Sequence, residues 1–374
     1  MLKLHLFFLS IGCLAAYPAV AQTFTTLATL PLEIPEASGL EITGPNELWT
    51  FNDSGGEAIL YGCDTMGNLF RTIELTNAWN RDWEDITQDN QGNLYVGNFG
   101  NNDNDETDLS IFKIPPPGSI AGDMVMAEVI TFAYEDQTAF PPPDDSQHFD
   151  CEALCWFQGQ LYLFTKDRSD PFAGETHLYR LPDTPGTYTA ERIGTFVHGG
   201  DIAQLNWITA ADLSPDGSKL ALLSTDKLWL FHDFSGDDFF GGQYLRIDLP
   251  FVSQKEAVCF ASETRLLITD ELVGGLLGGK LYALDISGLL TPDRALAPEE
   301  GLQVFPNPTR GRIQVSGLPA GPLEVIIRDG YGRELHRLTK VTGNELDLSS
   351  WSAGTYFVAW QKGARRWHTT VMKY

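Results

Sequence analysis

A chain of 374 residues with 50 Asp and Glu against 25 Lys and Arg is long enough for one large domain and one small one. Its net charge of −25 repels nucleic acid and anionic membranes and favours cations or cationic partners. The excess is uneven: from Leu302 onward ten basic residues face five acidic ones, so the first 301 residues carry 15 against 45.

Residues 1–21 read as a secretory signal peptide, with Lys3 as the charged start, an apolar run from Leu4 to Ile11, and Ala19-Val20-Ala21 before Gln22. The run is too short for a membrane span. Lipid attachment at Cys13 is disfavoured because the apolar stretch continues past it to Ala21. Cys63, Cys151, Cys155 and Cys259 then remain. Cys151 and Cys155, four apart on one strand, would lie about 13 Å apart, too far for a disulfide. No Cys/His spacing suggests zinc, so buried free thiols are expected.

From Thr23 to Leu32 the chain alternates like a strand. A unit of four short strands then recurs about five times. Its clearest copy starts at Asp82-Trp83-Glu84, turns at Gly92-Asn93, and continues through Leu94 to Asn98 and Ile111 to Ile114. Other copies open at Glu36, Asp150, Thr209 and Gln254, and the last lacks a fourth strand. Units of this kind without amphipathic helices predict an all-β β-propeller over residues 22–287. Five blades are expected, with Thr23 to Leu32 as the outer strand of the last. Six remain open, because Pro115 to Phe149 is long enough to hide further strands.

Residues 288–301 read as a Pro-containing, charged linker. Beyond it, about seven short strands separated by turn signals predict a small β-sandwich over 302–374. This module carries Val304-Phe305-Pro306-Asn307-Pro308, Gly311, Asp329-Gly330-Tyr331-Gly332-Arg333, Leu346-Asp347-Leu348, Gly354-Thr355-Tyr356-Phe357-Val358 and the basic end Lys373. In these motifs and their order it closely resembles the type A C-terminal sorting domain of the type IX secretion system. The resemblance implies export across both membranes by the type IX machinery, removal of the module, and release or surface attachment of the cargo. It leaves the protein's own function to the propeller.

In an antiparallel blade the start of the innermost strand and the end of the next share one end. First strands place Glu36, Asp82, Glu84, Asp150, Glu152 and Glu256 there, and second strands add Asp53, Asn98, Lys166, Asp270 and Glu271. Carboxylates gathered on one mouth of a channel repel unless protonated or neutralised by a cation. Calcium, with six to eight oxygen ligands, suits such a set. Asn98, Lys166 and the nearby Arg168 are the candidate ligand-binding groups. The structural alternative is that first-strand acids bond amides of the next blade and lock the ring. Blade four, with Thr209 and Ala211 in the equivalent positions, favours a one-sided site.

The sequence Glu-x-apolar, Leu-Tyr, Asp-Glu also resembles phytase-like and esterase-like propeller families. That likeness implies a calcium-assisted hydrolase of phosphoesters or esters, although a propeller fold fixes no activity. Two functions are therefore carried: a binding or scaffold module for a glycan, peptide or envelope component, and the hydrolase. Neither identifies catalytic residues. Three further features receive the plainer reading. Asn52 to Gly56 reads as a turn, Asn101 to Asp108 as a solvated loop, and His148, His177, His198 and His232 as scattered, without zinc spacing. Trp49, Trp83, Trp156, Trp207 and Trp229 read as packing aromatics.

Overall fold

Apolar runs of four to eight residues punctuated by Gly, Asn and Asp turns become strands throughout the computed structural model of the chain. The structure describes residues 23–289 and, between 303 and 374, all but 308, 317, 319, 320, 329–333, 342, 343, 363 and 364. The expected signal peptide, with Cys13, and all but the first two residues of the expected linker lie outside the described residues. So do Pro308 and the Asp329 to Arg333 motif. The chain divides into two units, Gln22–Ser287 and Gly288–Tyr374.

The larger unit begins with β1 (Thr23–Thr29). Sheet I comprises β2 (Ala37–Gly44), β3 (Glu47–Asn52), β4 (Ile59–Cys63) and β5 (Leu69–Leu75). Sheet II has β6 (Trp83–Gln88), β7 (Leu94–Asn98), β8 (Ser110–Ile114) and β10 (Glu128–Tyr134), while the intervening two-residue β9 (Met124–Val125) pairs in parallel with β5 at the edge of sheet I. Sheet III is β11 (Asp150–Phe157), β12 (Gln160–Lys166), β13 (Glu175–Pro182) and β14 (Gly186–Val197). Sheet IV is β15 (Ala210–Leu213), β16 (Lys219–Leu223), β17 (Lys227–His232) and β18 (Gln243–Asp248). Sheet V contains β19 (Lys255–Ser262), β20 (Arg265–Asp270) and β21 (Lys280–Asp285), and β1 completes it, pairing antiparallel with β21 from Thr23↔Asp285 to Thr29↔Lys280.

The first strands pack in a closed cycle, β2 on β6, β6 on β11, β11 on β15, β15 on β19 and β19 back on β2. This is a β-propeller, with its apolar cores between neighbouring sheets. Phe51, Trp83 and Phe112 fill one such space, Leu154 and Tyr179 another, and Phe164, Leu222 and Trp229 a third. The stretch 115–149 holds β9, β10 and two short 3-10 turns. One arrangement had no signal in the sequence: β10 pairs in parallel with β14, joining sheets II and III into eight strands. Among the described residues, Cys63, Cys151, Cys155 and Cys259 are all buried free thiols.

In the smaller unit, β22 (Gln303–Phe305), β23 (Arg312–Ser316) and β26 (Glu345–Asp347) form one sheet. The other is β24 (Leu323–Arg328) flanked by β25 (Glu334–Val341) and β27 (Gly354–Lys362), with β28 (Arg365–Lys373) outermost. Ile313, Val315 and Leu346 of the first sheet share a core with Val325, Ile327, Val358 and Val371 of the second. Asn307 Oδ1 accepts a hydrogen bond of 2.9 Å from the Met372 amide, tying the Pro306-Asn307 turn to the last strand.

Candidate functional site

Bulges decide what points into the channel mouth. Pairing slips between Trp83 and Ile86 in β6, between Cys151 and Ala153 in β11, and between Lys255 and Ala257 in β19. An extra residue in a strand re-aims its side chains, and the residues in these slips include Glu84, Glu152 and Glu256. In β2 the slip spans Gly39, whose φ of +59° and a virtual Cβ 2.8 Å from Phe51 leave room for glycine alone. Strand β15 pairs without a slip, and it is the strand that lacks the acids.

One carboxylate oxygen from each of Asp53, Asp82 and Glu84 lies within 4.8 Å of the other two. Glu84 is 7% exposed, and among the described residues no hydrogen bond or ion pair reaches its carboxylate. Asp53 Oδ1 is buried without a partner. Burial first, then the like charges of Glu152, Asp53 and Asp82, holds the pKa of Glu84 well above the usual range. Burial and the Asp82 charge push Asp53 up to about 8. Asp82 is raised by burial and by Asp150, and Glu256 strongly by burial, with Lys166 opposing. The backbone of Gly100 closes over the cluster: a virtual Cβ there would sit 2.2 Å from Asp82 Oδ2 and 2.3 Å from Glu84 Oε1.

Beside the acids, Lys166 Nζ donates to Glu152 Oε1 at 2.6 Å, and Arg168 Nε donates to Asp150 Oδ2 at 2.6 Å. Both cations lie over the Trp207 ring, 5.2 and 4.6 Å from its centroid. Trp207 is thus a shield for the mouth cations, whereas Trp49, Trp83 and Trp229 are buried core residues. Burial works against the Lys166 charge, but Glu152, Glu256 and Asp150 outweigh it and raise its pKa. Burial brings Glu152 and Glu271 each to about 7, against the pull of Lys166.

Three expected ligands are already committed elsewhere. Asn98 is fully buried, taking the amides of Arg81 and Asp82 on Oδ1 and reaching Ser110 with Nδ2. Asp270 turns into its own sheet, bonded to the Lys280 amide and the Tyr282 hydroxyl. Asp150 spends one oxygen on the Asn101 amide and the other on Arg168. Glu36 is exposed at the rim, and the charge of Glu36 raises the pKa of Glu271.

The ring lock exists, but in residues the sequence did not single out. Asp85 Oδ1 accepts from the Ile86 amide at 2.9 Å, and Oδ2 from Leu154 at 2.8 Å and Ala211 at 3.2 Å, so one carboxylate bridges sheets II, III and IV. Asp212 Oδ2 takes the Phe260 amide of sheet V at 2.6 Å. The Asn101 to Asp108 loop is solvated at Asn102, Asp103, Asp105, Thr107 and Asp108 but anchored at two points. Asn101 and Asn104 are buried, and Asn104 Oδ1 holds the Phe149 amide at 2.7 Å. His148 and His177, far apart in sequence, stack with ring centroids 4.6 Å apart.

The raised carboxyl groups give the cation-free protein a pH dependence of definite sign. Asp53, Glu152 and Glu271 keep protons when folded that the unfolded chain releases near pH 4. Stability therefore falls as pH rises through their folded values of about 7 to 8. Calorimetry in chelator should show Tm dropping by several degrees between pH 6.5 and 8. A flat or rising Tm would show that the cluster is not charged by deprotonation in this window.

Fold and site together define an all-β class: a propeller with an acidic mouth, linked to a small β-sandwich. Residues 303–373 match the family of secretion system C-terminal sorting domains. That module is a type IX sorting domain, so the chain is exported to the cell surface or the extracellular space. No helix among the described residues is long and apolar enough to cross a membrane. No curated protein matches the chain. Among solved structures it is similar to the PQQ-bound aldose sugar dehydrogenase of Streptomyces coelicolor, at 11% identity and TM-score 0.43, over 72% of this chain and 99% of that one. It is similar to a gluconolactonase of Xanthomonas campestris at 14% identity and TM-score 0.37, over 67% and 72%. A third likeness is the extracellular domain of a putative one component system of B. thetaiotaomicron, at 10% identity and TM-score 0.36, over 93% and 59%.

Proposed function

We propose that the exported propeller is a binding module that takes a glycan or other oxygen-rich envelope ligand at its mouth, through a calcium ion held by Asp53, Asp82 and Glu84. The observation that carries this reading is the buried, unpartnered Glu84 carboxylate among acids that repel it. A buried charge without a partner costs several kcal/mol, and a hard divalent cation is the group that three converging carboxylates fit. Calcium would supply the positive charge and open coordination positions for ligand oxygens. Asn102 Nδ2, 3.2 Å from Asp82 Oδ2, holds that carboxylate in place. Exposed apolar side chains occupy the segments leading into first strands (Leu32, Trp79, Ile202 and Phe251) and the β20–β21 connection (Leu276 and Leu277), at the strand ends that share the mouth. Binding of purified envelope polysaccharide to the full chain, measured by calorimetry with calcium and again with EDTA, tests the reading. Binding that needs calcium and disappears in Asp53→Asn supports it; calcium-independent binding overturns it.

A second reading, a metal-assisted phosphoesterase or esterase, is favoured by one feature. Glu152 and Glu271, each with a pKa near 7, are tuned for proton transfer close to neutrality, beside Lys166 and Arg168 as candidate phosphate partners. Turnover of chromogenic phosphate or carboxylate esters that EDTA abolishes, and that Glu271→Gln lowers at least about 100-fold, would select it over simple binding.

A further inference from the structure

We propose that His148, Glu175 and His177 form a second metal site, for a zinc-class divalent cation, where β13 begins. The site is separate from the mouth and does not depend on the calcium reading. Glu175 and His177 are two apart on one strand and so share a face, and His148 reaches them from the loop before β11. One ligand atom from each lies within 4.8 Å of the other two. Glu175 Oε1 is 2.8 Å from His177 Nε2 and 3.8 Å from His148 Nε2. Two imidazoles and a carboxylate are a donor set for zinc rather than calcium.

The bonding around these rings is incomplete without a cation. His148 and His177 are 8% and 3% exposed, so both rings sit out of water. His177 Nε2 faces both the Glu175 carboxylate, an acceptor, and Arg192 NH2, a donor, each at 2.8 Å. One imidazole nitrogen cannot donate to the first and accept from the second. A cation between Nε2 and Glu175 removes the conflict, and Arg192 retains Asp136 and Thr195 as partners. Asp167 Oδ1 lies 3.2 Å from His148 Nδ1, the position of a carboxylate that orients a metal-bound imidazole through its other nitrogen. Three protein ligands leave a fourth position for water, reached past the partly exposed Glu175.

The test is cobalt titration of the full chain in saturating calcium, followed by visible absorption. The expected result is one cobalt per chain with the intense bands of four-coordinate geometry, displaced by zinc and unchanged in Glu84→Gln. His148→Gln and Glu175→Gln should each weaken binding at least about tenfold; Glu175 is partly exposed, so its variant tests the site even where His148→Gln misfolds. Weak six-coordinate absorption, wild-type affinity in Glu175→Gln, or loss of the bands in Glu84→Gln would each overturn the assignment.

Discussion

Asp85→Ala should lower the unfolding free energy by about 3–5 kcal/mol, the range for removing one partner from a buried charged network. For a domain of this size that corresponds to roughly 6–20 °C in Tm. Asp85 is fully buried, and its two oxygens take three amides from sheets II, III and IV. Burial raises its pKa, and the amides of Leu154, Ile86 and Ala211 work against that rise. Alanine leaves those three buried amides without their acceptor, and each unpaired donor costs about 1–3 kcal/mol. Asp85→Asn keeps an acceptor oxygen and should lose less. Urea unfolding of the full chain measures both; a change under about 1 kcal/mol in the alanine variant would mean that Asp85 does not hold the ring together.

Glu84→Gln, one residue away, should act in the opposite direction. Without calcium it replaces a buried carboxyl group whose ionised form the neighbouring acids repel and should stabilise the protein by about 1–2 kcal/mol at pH 8, the gain typical of relieving a strained functional site. With calcium the order reverses. At about 100 times its Kd a ligand adds about 2.7 kcal/mol, roughly 5–10 °C for this domain, and the variant should lose most of that gain. Thermal scans of both proteins with calcium and with EDTA check the crossing. A variant less stable than wild type in EDTA would assign Glu84 a structural role.

The opposed roles of these neighbours explain what the sequence could and could not convey. Alternation, turn residues and the spare strand Thr23 to Leu32 are local patterns, so the propeller, the pairing of β1 with β21 and all seven strands of the sorting module were legible. The acids at strand starts were legible as well, because four of the five first strands repeat them. Which acid faces the mouth was not, since a regular strand would send Glu84 and Asp85 to opposite faces in a fixed order, and the bulge between Trp83 and Ile86 resets that order. Asn98 and Asp270 sit at the expected strand ends, but their partners lie across the sheet in Ser110 and Tyr282, where spacing carries no signal. The approach of His148 to His177 depends on the β10–β11 loop folding back onto β13, and no local pattern records it.

The proposed function of the mouth requires a cation seated among the carboxylates of Asp53, Asp82 and Glu84. Crystals of the exported chain grown with terbium in place of calcium would locate it by anomalous scattering. The expected result is one peak bonded to Asp53, Asp82 and Glu84 oxygens at about 2.3–2.6 Å. A mouth without a peak at saturating metal, or a peak bonded only to rim residues such as Glu36, would contradict it.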